Sequence, residues 1–186
     1  MNIVLASASP RRQELMGLLT DRFTVCPAKG EEIVPDTVPT ALHAQVLALG
    51  KAREVAQSHP DSLVIGADTV VVAGNEILGK PHDKEDARRM LHLLSGKEHQ
   101  VMTGVCLKAP GWEYTFTQTT RVWFYPMTDA EIEAYISTEE PYDKAGGYAI
   151  QGLAGAYIEK LEGDYYKVVG FPVAKIGRVL REKGLL

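Results

Sequence analysis

Residues 63–81 read LVIGADTVVVAGNEILGKP, and the fold turns on how this stretch divides. Leu63 to Ile65 is apolar and rich in β-branched side chains, as a buried strand requires, and Gly74-Asn75 is a turn signal. Val70 to Val72 is therefore expected to fold back against Ile77 and Leu78 as a hairpin. Asp68 stands where the first strand gives way to that hairpin. An acid in so apolar a run costs several kcal/mol unless it is paired, bound to a metal or placed at the mouth of a site. The structural alternative is a turn in which Asp68 bonds local backbone N–H groups. Lys80, between Gly79 and Pro81 at the end of the hairpin, can carry a cation into the same space.

Upstream, residues 2–15 read NIVLASASPRRQEL. Met1 to Ala6 is a short buried strand, and Pro10 is suited to the first position of a helix capped by Ser9. Arg11 and Arg12 then fall in the first turn, where the helix dipole disfavours cations by roughly 0.3–1 kcal/mol each. The two guanidinium groups, the hydroxyls of Ser7 and Ser9 and the helix N-terminus suit phosphate oxygens. Arginines turned to solvent, or paired with Glu14, are the alternative.

Phe23 to Ala28 is a second short strand, running into Lys29, Gly30, Glu31 and Glu32 on a loop bounded by Pro35 and Pro39, where a solvated turn is the alternative. From Thr40, the positions Leu42, Val46, Leu49, Ala52 and Val55 recur at helical spacing, and the helix ends near Ser58, with Lys51 close to its core-facing stripe. Asp83 caps a further helix with Met90, Leu91 and Leu94 inward, stopped by Gly96. His82 and His92 have no second histidine at i+3 or i+4 and read as surface or packing residues. Residues 99–109 and 112–126 form a hairpin about Pro110-Gly111, with Trp123 and Phe124 as packing aromatics. Thr128 and Glu131 make a capping box. EPYDKAGGYAIQG at 140–152 reads as a shaped functional loop, AYIEKLEGDYYKVV at 156–169 as a strand pair, and Pro172 to about Lys183 as a helix. Parallel crossovers near the N-terminus combined with hairpins in the middle predict an α/β fold with a mixed, curved sheet rather than a doubly wound one.

The 186 residues fit a single domain spanning 1–186, in two lobes about a cleft. A net charge of −4 argues against a protein that grips nucleic acid polymers or an anionic membrane surface. Cys26 and Cys106 have neither metal nor redox spacing and read as buried free thiols. With no signal sequence and no apolar run near the ~20 residues of a membrane span, a cytoplasmic location is expected. Neither G-x-G-x-x-G nor G-x-x-x-x-G-K-[ST] occurs, so a dinucleotide cofactor and a P-loop are not expected.

Taken together, LASASPRR, GADTVV, GKP, SGKEHQVMTGV, EPYDKAGGYAIQG and GDYYKVVGFP resemble the Maf family of nucleoside triphosphate pyrophosphatases, in order and over nearly the whole chain. The resemblance implies an inosine triphosphate pyrophosphatase-like (Maf/Ham1) fold, an elongated mixed sheet with flanking helices. It implies hydrolysis of a nucleoside triphosphate to the monophosphate and pyrophosphate, with Mg²⁺ or Mn²⁺. Arg12, Thr69 and Gln151 match the positions of the branch acting on dTTP and UTP, which suits a housecleaning role. Phe171 departs from the leucine more common before the proline, a matter of packing. Within this frame Asp68 is the expected base and Glu31 helps it hold the metal. Ser7, Arg11, Lys51 and Lys80 are expected on the phosphates, while Arg12, Thr69 and Gln151 read the base. The oligomeric state stays open, a homodimer included. Two other readings stand beside this one: a nucleotide-binding regulator of cell division, and a pyrophosphatase preferring a modified purine triphosphate. A pure binding module needs no base at Asp68.

Overall fold

Two kinds of chain connection meet in one sheet. In the computed structural model, which describes residues 1–186, β1 (Ile3–Leu5), β2 (Phe23–Val25) and β3 (Leu63–Ala73) are parallel neighbours, Ile3 lying opposite both Phe23 and Leu63. β4 (Glu76–Leu78) returns antiparallel onto β3 across Gly74-Asn75, with Val71 opposite Leu78. β5 (Glu98–Ala109) and β6 (Trp112–Phe124) flank a two-residue turn, and β7 (Ile158–Glu162) runs antiparallel to β6. The strand order is β2-β1-β3-β5-β6-β7, with β4 on β3. The sheet is mixed, with flanking helices α1 (Pro10–Gly17), α2 (His43–Ser58), α3 (Lys84–Leu94), α4 (Asp129–Ile136), α5 (Tyr165–Val169) and α6 (Val173–Glu182). No helix is long and apolar enough to cross a membrane.

Several local expectations change. β3 is one unbroken strand, so Asp68 lies inside it and not at a break before the hairpin. The segment expected as a strand pair is β7 followed by α5. Gly163, at φ 133°, stops the strand, and Asp164 Oδ1 accepts from the N–H groups of Tyr166 at 2.9 Å and Lys167 at 3.4 Å, starting a helix instead. Ser9 occupies the N-cap of α1 but makes no side-chain cap bond. Its own N–H donates to Ser7 Oγ at 3.2 Å. Cys26 is half-buried; only Cys106 is buried.

The chain divides into two compact units. The first comprises Met1–Asp68, Thr103–Gln118 and Gly170–Leu186. Its core includes Val4, Ala6, Val64 and Cys106 from the strands with Ala48, Ala52 and Val55 from α2. The buried stripe of α2 is Ala44, Ala48, Ala52 and Val55; Leu42 is exposed in the turn before it, and Val46 and Leu49 are only half-buried. The reason is close approach. A Cβ at Gly66 would fall 2.3 Å from the Ala48 carbonyl oxygen, and one at Gly104 would fall 2.3 Å from the Ala44 carbonyl. Helix backbone therefore rests on strand backbone, and only alanines fit between.

The second unit comprises Thr69–Met102 and Thr119–Val169. Leu91 and Leu94 of α3, Ile132 and Ile136 of α4, Val122 and Phe124 of β6 and Tyr148 build its core, each large aliphatic contributing roughly 1.5–3 kcal/mol. α3 and α4 start as the sequence predicts: Asp83 Oδ1 accepts from the Asp86 N–H at 2.8 Å, and Thr128 and Glu131 form the full capping box.

Candidate active site

Parallel pairing sets the ends of β1 and β3 side by side, the Ala6 N–H donating to the Ile65 carbonyl at 2.8 Å. Ser7 therefore leaves β1 buried, and Asp68 sits three residues beyond Ile65 on β3, also buried. α2 crosses this edge with Lys51, whose Nζ lies 2.5 Å from Asp68 Oδ1 and 2.9 Å from Glu32 Oε1. The Asp68 and Lys51 side chains are 12% and 16% exposed, whereas Glu32 is 56% exposed, so the inner pair is the desolvated one. The acid in the apolar run is thus paired, one of the three ways its burial can be sustained.

Arg12 completes the group. Its Nε donates to the Gly170 carbonyl at 2.9 Å and its guanidinium donates to Ser7 Oγ at 3.3 Å. Burial lowers its pKa below the ordinary arginine value, and the field of Asp68 and Glu32 opposes that shift while neighbouring Arg11 adds to it. Arg12 thus feels Arg11, Asp68 and Glu32, and Lys51 pairs with the same two carboxylates, so three cations gather about two acids. The surplus is positive, as a site for a polyanion needs.

Of the residues singled out by sequence, Ser7, Arg12, Lys51 and Asp68 are brought together in the first unit. Arg11 is half-buried beside Arg12, whose guanidinium bonds Ser7. Glu31 is exposed, and its neighbour Glu32 makes the contact with Lys51. Thr69, Lys80 and Gln151 belong to the second unit. Thr69 is half-buried and follows Asp68 in β3, so strand alternation sends their side chains to opposite faces. Lys80 and Gln151 are exposed.

The segment around Gln151 is held from within its own unit. Glu140 accepts from the Tyr135 hydroxyl at 2.7 Å and from the N–H groups of Leu153 at 2.8 Å and Ala154 at 3.2 Å. Gly146 and Gly147 adopt φ near +70°, and a Cβ on Gly146 would meet Val71 at 2.9 Å. Tyr148 Oη lies 2.6 Å from His99 Nε2, and burial pushes the His99 imidazole down to about 4. Glu54, Glu140 and His99 were not singled out by sequence. For Glu54 a signal existed: it follows Lys51 by three residues on one helix face.

The comparisons agree with this architecture. A family model described as Maf-like protein matches residues 2–183. A dTTP/UTP pyrophosphatase of Koribacter versatilis (strain Ellin345) is 48% identical over 186 residues, covering 100% of this chain and 96% of the relative. Another, of Carboxydothermus hydrogenoformans, is 48% identical, covering 99% of this chain and all of its own length. A Ham1 protein of Staphylococcus aureus superposes with a TM-score of 0.59 at 14% identity, covering 98% of this chain and 100% of its own. A HAM1 protein of Coxiella burnetii gives 0.58 at 15% identity, covering 98% and 99%. At such identity these structures establish the fold alone, but the family model and the full-length relatives go further: the chain belongs to the Maf family.

Proposed function

We propose that the chain hydrolyses dTTP and UTP to the monophosphate and pyrophosphate. The observation that carries the reading is Lys51 joined to both Asp68 and Glu32 beside the Arg12–Ser7 pair, in a chain whose full-length relatives bear the name dTTP/UTP pyrophosphatase. Water attacks the α-phosphorus, the bond from that phosphorus to the bridging oxygen breaks, and pyrophosphate leaves with its electron pair. Asp68 takes the water proton. Lys51 holds the Asp68 carboxylate in place and meets the charge that grows on the phosphate oxygens. Ser7 and Arg11 orient the phosphates, and Arg12, bonded to Ser7, turns to the base. Lys80 adds a cation, and Thr69 and Gln151 read the base.

A divalent cation fits the donor set. Two carboxylate oxygens, from Asp68 and Glu32, already converge on one cationic atom, and no three His, Cys, Asp or Glu side chains gather to cage a metal. Mg²⁺ is held in this manner by one or two carboxylates, with phosphate and water oxygens filling its shell. Asp68 and Glu32 would hold it, and when bound it would neutralise phosphate charge and activate the attacking water. Clearing unwanted nucleotides from the cell is the role that such an activity suits.

Chromatography of an early time point tests the reading. Purified protein with Mg²⁺ should turn UTP into UMP and pyrophosphate, with dTTP and UTP exceeding ATP and GTP in kcat/KM by at least ~10-fold. UDP and free phosphate as first products, or equal use of GTP, would contradict it.

A further inference from the structure

Between Val25 at the end of β2 and Thr40 the chain forms no helix or strand, yet this segment delivers Glu32 to Lys51. Cys26 and Ala28 pack on the core at its start, and beyond them few polar contacts fix it. The Cys26 N–H donates to the Leu5 carbonyl at 3.0 Å, and a turn closes from the Val38 N–H to the Pro35 carbonyl at 2.9 Å. The Glu32–Lys51 pair itself is half open to water, and exposed pairs contribute little. That is too little to offset the conformational entropy the segment's backbone loses on ordering.

Glu54 supplies the missing anchor. Its Oε1 accepts from the Lys29 N–H at 2.7 Å and the Gly30 N–H at 3.2 Å, and its Oε2 accepts from the Gly30 N–H at 3.0 Å. Bonds from backbone N–H to a carboxylate are stronger than neutral ones. The approach is close enough that a Cβ on Gly30 would fall 2.8 Å from Glu54 Oε2. Glu54 lies one helical turn beyond Lys51 on α2. One rigid helix therefore grips the segment twice, through the Glu54 carboxylate at residues 29 and 30 and through the Lys51 ammonium at residue 32.

We propose that Glu54 is a positioning residue: by clamping the backbone at Lys29 and Gly30, it fixes where Glu32 stands beside Lys51 and Asp68, and so governs how the site takes up its divalent cation. The role rests on the pyrophosphatase reading above. Glu54 touches neither substrate nor reacting atoms. Such outer partners typically govern metal affinity or activity by about 10–100-fold, and because Glu54 acts on where Glu32 stands, the effect here falls on metal uptake.

Two variants break the clamp from opposite sides. Glu54→Gln removes the charge and turns an amide N–H₂ toward backbone donors, while Gly30→Ala keeps the charge and pushes the carboxylate away. In both, the Mg²⁺ concentration for half-maximal UMP formation should rise at least about 10-fold, with kcat at saturating Mg²⁺ held within about 3-fold. The double variant should rise no further, because both changes remove one contact. Amide exchange, read without substrate or metal, should show the Lys29 and Gly30 protons of the wild type losing at least about 10-fold of their protection in either single variant. A general loss of stability would lower kcat and protection everywhere and would not produce this split. Lost protection with an unchanged Mg²⁺ requirement overturns the role of Glu54 and leaves the pyrophosphatase reading standing. Absence of UMP from the wild type overturns that reading and, with it, the role of Glu54.

Discussion

Gly104→Ala is expected to damage stability and turnover together, through a helix that it touches only at the backbone. The new Cβ would lie 2.3 Å from the carbonyl carbon and oxygen of Ala44 and from the Gln45 nitrogen, whereas ordinary contact begins near 3.4 Å. No flexible side chain can yield, so α2 must retreat from the sheet by about 1 Å. Overpacking of this kind costs about 1–3 kcal/mol. α2 also carries Lys51, bonded to Asp68, and a misplacement of about 1 Å at reacting groups can cost about 100-fold in rate. Gly50 lies on the same helix, and a Cβ there would meet no atom within 4 Å, so Gly50→Ala should instead stabilise by about 0.5–1 kcal/mol. Urea unfolding of the three proteins, with unchanged m-values, gives the stabilities, and UMP formation well below the melting range gives the rates. A Gly104→Ala protein within about 0.5 kcal/mol and 3-fold of wild type would refute the close-contact reasoning.

Asp68→Asn should fold and lower turnover at least ~100-fold on every substrate, the scale of a lost general base; near-normal turnover would move the base elsewhere. Gln151→Ala should shrink the dTTP-to-GTP ratio of kcat/KM more than it lowers kcat for dTTP, and an unchanged ratio would place base reading on other residues. His99 predicts acid sensitivity: burial lowers its pKa from 6.5 to about 4, so the unfolded chain takes up the proton first as the pH falls. Its stabilising share is complete above the unfolded pKa and is lost as the pH falls toward the folded value, about 3 kcal/mol in all. Acid titration followed by circular dichroism should show a shallower decline for His99→Gln than for wild type.

What was legible in the sequence was local. The Gly74-Asn75 turn, the Asp83 cap and the Thr128–Glu131 box are decided by residues within a few positions of one another, and each forms as expected. The stripe of α2 keeps Ala52 and Val55 but not Leu42, Val46 or Leu49, because apolar periodicity weighs size, whereas here the packing is fixed by Gly66 and Gly104, remote in sequence, which demand alanine opposite them. The same holds at the site. Asp68 and Lys51 announce themselves as charges set in or beside apolar runs, and the fold pairs them. Which of two adjacent acids reaches Lys51 depends on how Glu54 seats the backbone at residues 29 and 30, and the Arg12–Ser7 bond depends on the rotation of α1. Neither can be read from neighbours in the chain.

The central claim is that water attacks the α-phosphorus beside Asp68 and Lys51. Hydrolysis of UTP in ¹⁸O-labelled water, with mass analysis of both products, tests it most directly. One labelled oxygen is expected in the phosphate of UMP and none in pyrophosphate; label in pyrophosphate, or UDP with labelled free phosphate, would contradict attack at the α-phosphorus.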